Sequence, residues 1–362
     1  MICKTSIEES DAGFNPMVEI IHMKEFCTKC PAHSLRNRVL KYLLSSTVLT
    51  EPISALSSSR PGFNGSLSSG YGLDDLRNLL PHTCGFPGDP KQIYAIAGGT
   101  PTDPSDYPWM AGLEYNTPKG REVGCGGSLI TNRHVLTAAH CVNPLHQPGW
   151  YLISVRLGDW DTSAEFDACD PDGKCKPRHI DVPIKREFRH ELYFRNRSYV
   201  ANDIALLELA ETVEFNEEIR PICLPVKPDL PARMTVIGWG ITEYKLKSKI
   251  LLEVNVPLFD QQRCESVYKR FGFSGLSSSQ ICAGGEKYKD SCTGDSGGTL
   301  IGHNEETIWE RSFEYPRAVM GIVTLGSRLC GTPGIPAVYT KVYDYEPWIL
   351  SKIRLSNGDA NS

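Results

Sequence analysis

Beyond Gly98 the chain alternates short apolar runs with polar breaks rich in Gly, Pro and Asp, a pattern that predicts strands rather than helices. Such runs occupy residues 127–136, 151–157, 204–209, 235–238 and 319–324. Many short strands with little helical periodicity predict an all-β barrel or sandwich. One stretch departs from this: across residues 343–353, Tyr345, Trp348, Ile349 and Ile353 fall roughly on one face at helical spacing, which predicts a C-terminal helix. Before residue 90 neither period is sustained, and 45–69 is rich in Ser, Gly and Pro, the composition of a linker.

Composition narrows the class. Of the 362 residues, 40% are hydrophobic and 22% charged, enough apolar material for a packed core. A formal charge of -5 without a Lys/Arg run argues against nucleic acid or an anionic membrane surface as partner. No stretch approaches the roughly 18 apolar residues of a membrane-spanning helix. Thirteen cysteines are many for a reduced compartment, and only Cys27 and Cys30 have the C-x-x-C spacing of a zinc or redox pair. An extracellular, disulfide-forming protein is expected, and Asn64 and Asn196 open Asn-x-Ser glycosylation triplets. A secretory signal would be basic and then apolar over roughly 7–15 residues. Residues 1–11 are instead polar and acidic, and 36–49 is basic and then apolar but interrupted by Ser45, Ser46 and Thr47. The expectation is an incomplete or misassigned N-terminus.

Three motifs carry chemistry. In residues 290–298, Asp-Ser-Cys-Thr-Gly-Asp-Ser-Gly-Gly, Ser296 sits among glycines that let a hydroxyl be exposed on a tight turn and backbone N–H groups converge on a reacting carbonyl. In 136–141, Leu-Thr-Ala-Ala-His-Cys, small residues and Cys141 flank His140. In 202–207, Asn-Asp-Ile-Ala-Leu-Leu, Asp203 opens an apolar run. Singly, each has a bland reading: a Gly-rich turn, a structural histidine, a turn aspartate. Together, in the order His140, Asp203, Ser296, they match one known order of the Ser-His-Asp triad.

At this point residues 96–353 resemble the chymotrypsin/trypsin family, with Gly98-Gly99, Tyr107-Pro-Trp109, Gly238-Trp-Gly240 and Val338-Tyr-Thr-Lys341 all in place. The resemblance implies an all-β, trypsin-like double six-stranded β-barrel with a C-terminal helix and a cleft between the barrels. It also implies that Ser296 attacks, His140 shuttles the proton, Asp203 holds the imidazole, and the N–H groups of Gly294 and Ser296 form the oxyanion hole. Asp290 falls at the base of the primary specificity pocket, so cleavage after Arg or Lys is expected. Two departures concern the pocket walls: Thr324-Leu-Gly326 replaces the usual Ser-Trp-Gly, and Ala337 replaces a glycine, its methyl narrowing the pocket. Cleavage before Ile96 would create an α-ammonium to pair with Asp295. Because Ala95 rather than Arg or Lys precedes that bond, the activating protease need not be trypsin-like.

Cysteine positions point to one branch. The family pattern pairs Cys125 with Cys141, Cys264 with Cys282 and Cys292 with Cys330. The sequence around Cys84 and Cys223 resembles the arthropod clip-domain serine proteases, in which this pair tethers the two chains and a loop disulfide corresponds to Cys169–Cys175. With only Cys3, Cys27 and Cys30 before Cys84, residues 1–44 read as a truncated or degenerate clip-like region and 45–95 as linker and activation peptide. No cofactor is required by this chemistry. Asp159, Asp161, the backbone of Ala164 and Asp167 offer oxygens for a structural calcium ion, or form a solvated acidic loop. The implied function is a secreted serine endopeptidase zymogen in an insect extracellular immune or developmental cascade, with a protein substrate, an upstream protease and a serpin inhibitor as partners. A digestive trypsin and a catalytically silent homologue acting as cofactor are the alternatives.

Overall fold

The computed structural model describes residues 72–88, 100–142, 149–163, 166–169, 175–177, 179–241, 246–292, 294–303, 316–326 and 330–358. All belong to one compact unit, Ser68–Ser362. Cys3, Cys27, Cys30, Asn64, Ala95, Ile96 and Ala164 lie outside them, as do the side chains of Asp167, Cys169 and Cys175.

Six strands close the first antiparallel barrel: β1 Met110–Thr117, β2 Gly120–Thr131, β3 His134–Thr137, β4 Tyr151–Leu157, β5 Ile180–Arg189 and β6 Ala205–Leu209, joined in the order β6-β3-β2-β1-β4-β5 and back to β6. The second barrel holds β7 Arg233–Gly238, β8 Leu252–Phe259, β9 Gln280–Gly284, β10 Thr299–His303, β11 Arg317–Leu325 and β12 Pro336–Lys341. Its order is β8-β7-β10-β11-β12-β9, closed by β8–β9 pairing. Closure pairs every strand of each barrel with two neighbours. Leu113, Val155 and Leu206 are fully buried in the first barrel, and Val256, Leu300 and Tyr339 in the second. Each such side chain contributes about 1.5–3 kcal/mol by leaving water.

The elements differ from the sequence pattern in instructive places. The run 127–136 is not one strand: Arg133 N–H donates to Thr131 Oγ1 at 3.1 Å, and the chain turns there to separate β2 from β3. The C-terminal helix begins later and runs further than its apolar stripe. A 3₁₀ turn, Val342–Tyr345, precedes an α-helix over Glu346–Gly358, with Pro347 in the first turn where no N–H is needed. Ser356 near its end meets His134 Nε2 at 3.0 Å. A helix over Gln261–Arg270 was not expected. Only Cys264 and Tyr268 of it are buried, a face too narrow to show as periodicity, and Asp260 caps it by accepting from Arg263 N–H at 2.8 Å.

Residues 72–88, read as linker, pack on the barrels. Leu76 is buried in the short helix Leu73–Arg77, and Arg77 makes a two-pronged ion pair with buried Glu346, at 2.7 and 2.9 Å. Gly85 N–H donates to Pro221 O and Gly85 O accepts from Arg317 N–H, both at 2.9 Å, beside the Cys84–Cys223 disulfide. Cys125–Cys141, Cys264–Cys282 and Cys292–Cys330 are also bonded. In the ribbon Phe166–Cys169/Cys175–Pro177 the backbone of Cys169 lies opposite that of Cys175.

Candidate active site

His140 lies in a short helix, Ala139–Val142, entered directly from β3, and Asp203 immediately precedes β6. The β3–β6 pairing brings these two strand ends together. Asp203 is 0% exposed, and its carboxylate accepts from the His140 backbone N–H at 2.9 Å and lies 2.8 Å from His140 Nδ1. Its own carbonyl accepts from Thr340 Oγ1 at 2.9 Å. Asn202, before it, takes a left-handed φ of 52°, and its amide group is held by Leu192 O and Tyr345 Oη. Asn is among the few residues that adopt this conformation at low cost. The aspartate is therefore fixed in one orientation, which leaves His140 Nε2 as the ring nitrogen able to accept a proton.

Ser296 comes from the loop joining β9 to β10 in the second barrel. Its carbonyl accepts from Gly126 N–H at 2.8 Å, next to the Cys125–Cys141 bond that anchors the His140 helix. Gly297 has φ of 75°, and a methyl group there would lie 3.0 Å from Cys141 Sγ and 2.4 Å from Thr137 Oγ1, so Ser296 is pressed against the histidine-bearing segment. Within the loop, the amides of Asp295, Gly297 and Gly298 donate to Cys292 O, Val323 O and Asp295 O. Those of Gly294 and Ser296 have no acceptor among the described residues, as an oxyanion site requires.

Asp295 is buried. Its two oxygens accept from Gly240 N–H and Cys292 N–H, each at 2.8 Å. Burial raises its pKa to about 6 despite these donors and the positive field of Lys247. A methyl group on Gly238 or Gly240 would stand 2.0 or 2.4 Å from its carboxylate, which explains the Gly-Trp-Gly motif. Those glycines belong to the site, and the sequence reading noted the motif without seeing what it surrounds.

Asp290 has one oxygen bonded to Gly331 N–H at 3.1 Å, while the other is buried without a partner. Burial pushes its pKa to about 7. An unsatisfied buried carboxylate oxygen is what a cationic side chain entering from solvent would meet. Ala337 is fully buried, its methyl carbon 3.6 Å from where a side chain on Gly326 would begin. Thr324 is also buried, with its hydroxyl 2.9 Å from Thr340 Oγ1 and 3.3 Å from Ile322 O. Leu325 packs against the buried cluster of Cys264, Tyr268, Cys282 and Val338.

Asp159 is buried with neither oxygen hydrogen-bonded, yet Arg156 Nη1 at 3.5 Å and His179 Nδ1 at 3.8 Å already face it. Asp161 Oδ1 is occupied by the amide and hydroxyl of Ser163. The other two oxygens of the calcium reading, from Ala164 and the Asp167 side chain, lie outside the described residues. Asn196 is exposed on the hairpin between Phe194–Arg195 and Val200–Ala201. Among the described residues no helix is long and apolar enough to cross a membrane.

Two closed barrels, one carrying the His140–Asp203 pair and the other a glycine-framed serine loop bonded to Gly126, are the architecture of a serine endopeptidase. The family model for Trypsin matches residues 96–349, and the chain belongs to that family. It is 41% identical over 290 residues to Serine protease ea of Drosophila melanogaster, covering 76% of this chain and 71% of that one. It is 40% identical over 286 residues to CLIP domain-containing serine protease HP8 of Bombyx mori, covering 76% and 73%. It is 38% identical over 343 residues to Phenoloxidase-activating factor 1 of Holotrichia diomphalia, covering 87% and 88%. The crystal structure of the Drosophila Grass clip serine protease of the Toll pathway superposes with a TM-score of 0.61 at 34% identity over 75% of each chain. Its relatives are thus clip-domain serine proteases.

Proposed function

We propose that this chain is a secreted zymogen which, once cut before Ile96, cleaves a protein substrate after Arg or Lys in an extracellular cascade of the immune or developmental kind. Ser296 is the nucleophile, His140 the general base and then acid, and Asp203 its orienting group, with Gly294 and Ser296 N–H groups receiving the oxyanion. The observation that carries the specificity is the free, buried oxygen of Asp290. With Gly331 holding the other oxygen, an entering ammonium or guanidinium meets one open acceptor, at a site where charge attraction is worth on the order of 4 kcal/mol. The packed 72–88 segment and its disulfide favour a regulatory protease over a digestive one, because a light chain so held stays attached after activation. The new ammonium of Ile96 pairs with Asp295, whose raised pKa marks a carboxylate in need of a cation.

The deciding experiment cleaves the precursor before Ile96 and profiles peptides varying only in the residue preceding the scissile bond, with fluorophosphonate labelling of Ser296 as a control. Turnover confined to Arg and Lys peptides is expected. Labelled protein that prefers apolar residues would remove the Asp290 assignment, and an unlabelled protein would remove the enzyme itself.

A further inference from the structure

Next to the Cys84–Cys223 disulfide is a cavity of about 400 Å³ whose walls come from both sides of the tether. Thr83, Cys84 and Phe86 form one wall, and Phe215, Glu217 and Pro221 the other. It contains no residue of the proposed triad or primary pocket, and its volume falls in the range of roughly 300–1,000 Å³ usual for ligand pockets.

Its lining carries two charged side chains, Glu217 and Arg220. The loop from β6 onward carries Glu211, Glu214 and Glu217, all exposed and none ion-paired with a described residue. The cation at the pocket, Arg220, is turned inward: its guanidinium donates to Asn216 O at 2.9 Å and Pro87 O at 3.0 Å. Phe215, between Glu214 and Glu217 in the chain, lines the cavity and is 44% exposed. An exposed aromatic over an apolar recess, with Glu217 in its lining and exposed Glu214 next to Phe215 in the chain, is a poor solvent face but a good complement to a basic, apolar segment.

We propose that this cavity is a docking site for a segment of a partner protein in which a large apolar side chain is flanked by lysine or arginine. The apolar side chain enters between Phe86 and Phe215, and the flanking cations meet Glu214 and Glu217. Because one wall belongs to the light chain, the site exists only while residues 83–86 stay docked. It would let a cascade partner be held outside the cleft, so that selection of that partner does not rest on the residue before the scissile bond alone.

The test uses the full chain carrying Ser296→Ala, with benzamidine saturating the primary pocket so that basic peptides do not bind there. A peptide library displayed on phage is selected against it and counter-selected against the same chain carrying Phe215→Ala, Glu214→Gln and Glu217→Gln. Surviving clones are expected to pair Phe, Trp or Leu with Lys or Arg. Their synthetic peptides should bind at least about tenfold more weakly to the triple variant and several-fold more weakly in 0.5 M NaCl. The same three changes in the active enzyme should leave hydrolysis of a small ester unchanged, which shows that the fold is intact. Recovery of no clone that discriminates the variant, or of clones lacking basic residues, overturns the proposal.

Discussion

The two barrels supply the site in different ways. The first contributes His140 and Asp203 from the ends of paired strands, with every oxygen of the aspartate bonded. The second contributes Ser296, Asp290 and Asp295 from loops, with two amides and one carboxylate oxygen left open and two carboxyls raised well into the neutral range. The satisfied half is a fixed instrument. In the proposed function the unsatisfied half is the one completed by ligands, by substrate at Asp290 and by a new chain terminus at Asp295, which makes it the half that can be switched.

The largest expected effect breaks the fixed half. Asp203→Asn should lower kcat by about 10⁴ with little change in KM, because the amide cannot hold the same imidazole tautomer; steady-state kinetics on the activated enzyme check this. Asp290→Ser should cost about 10³ in kcat/KM for Arg peptides while sparing small reactive esters. Gly240→Ala drives a methyl into the Asp295 carboxylate. It should lower activity by about 10² through a disordered oxyanion loop while leaving the His140–Asp203 pair intact. An imidazole proton resonance that persists in the variant would show that the damage is confined to the second barrel.

Proton linkage sharpens the contrast. Asp290 and Asp295 bind protons more tightly when folded than when unfolded, so their contribution to stability is fully present below about pH 4 and is lost as pH rises through about 6 to 7. Denaturation of the uncut chain at pH 5 and pH 8 should show this loss. The ratio of kcat/KM for an Arg peptide to that for an uncharged ester should fall as pH drops below about 7, since only the former needs ionised Asp290. The smallest effect is expected from Ala337→Gly, which removes the fully buried methyl by the pocket and should raise Arg over Lys turnover about tenfold or less.

Much of the site could be read from the chain because its chemistry sits in contiguous segments. Ser296, with its flanking glycines, and His140 beside Cys141 each carry their own local geometry. What could not be read was the environment that segments distant in sequence create. That Gly238 and Gly240 enclose Asp295, that Thr324 places its hydroxyl against Thr340, and that His179 approaches Asp159 are contacts between separate segments. The helix at Gln261–Arg270 was missed for the same reason, since its two buried residues acquire meaning only from the barrel they touch.

By itself, then, the sequence determined an all-β barrel or sandwich, because strand periodicity is a local property of the backbone, and its resemblance to a known family supplied the double barrel and the proposed order of the reacting groups. The tertiary structure alone decided which carboxylates are satisfied and which are open, and that residues 72–88 are part of the catalytic unit. Burial and hydrogen-bond partnership depend on atoms brought together from far along the chain, and those two quantities set charge, pKa and access.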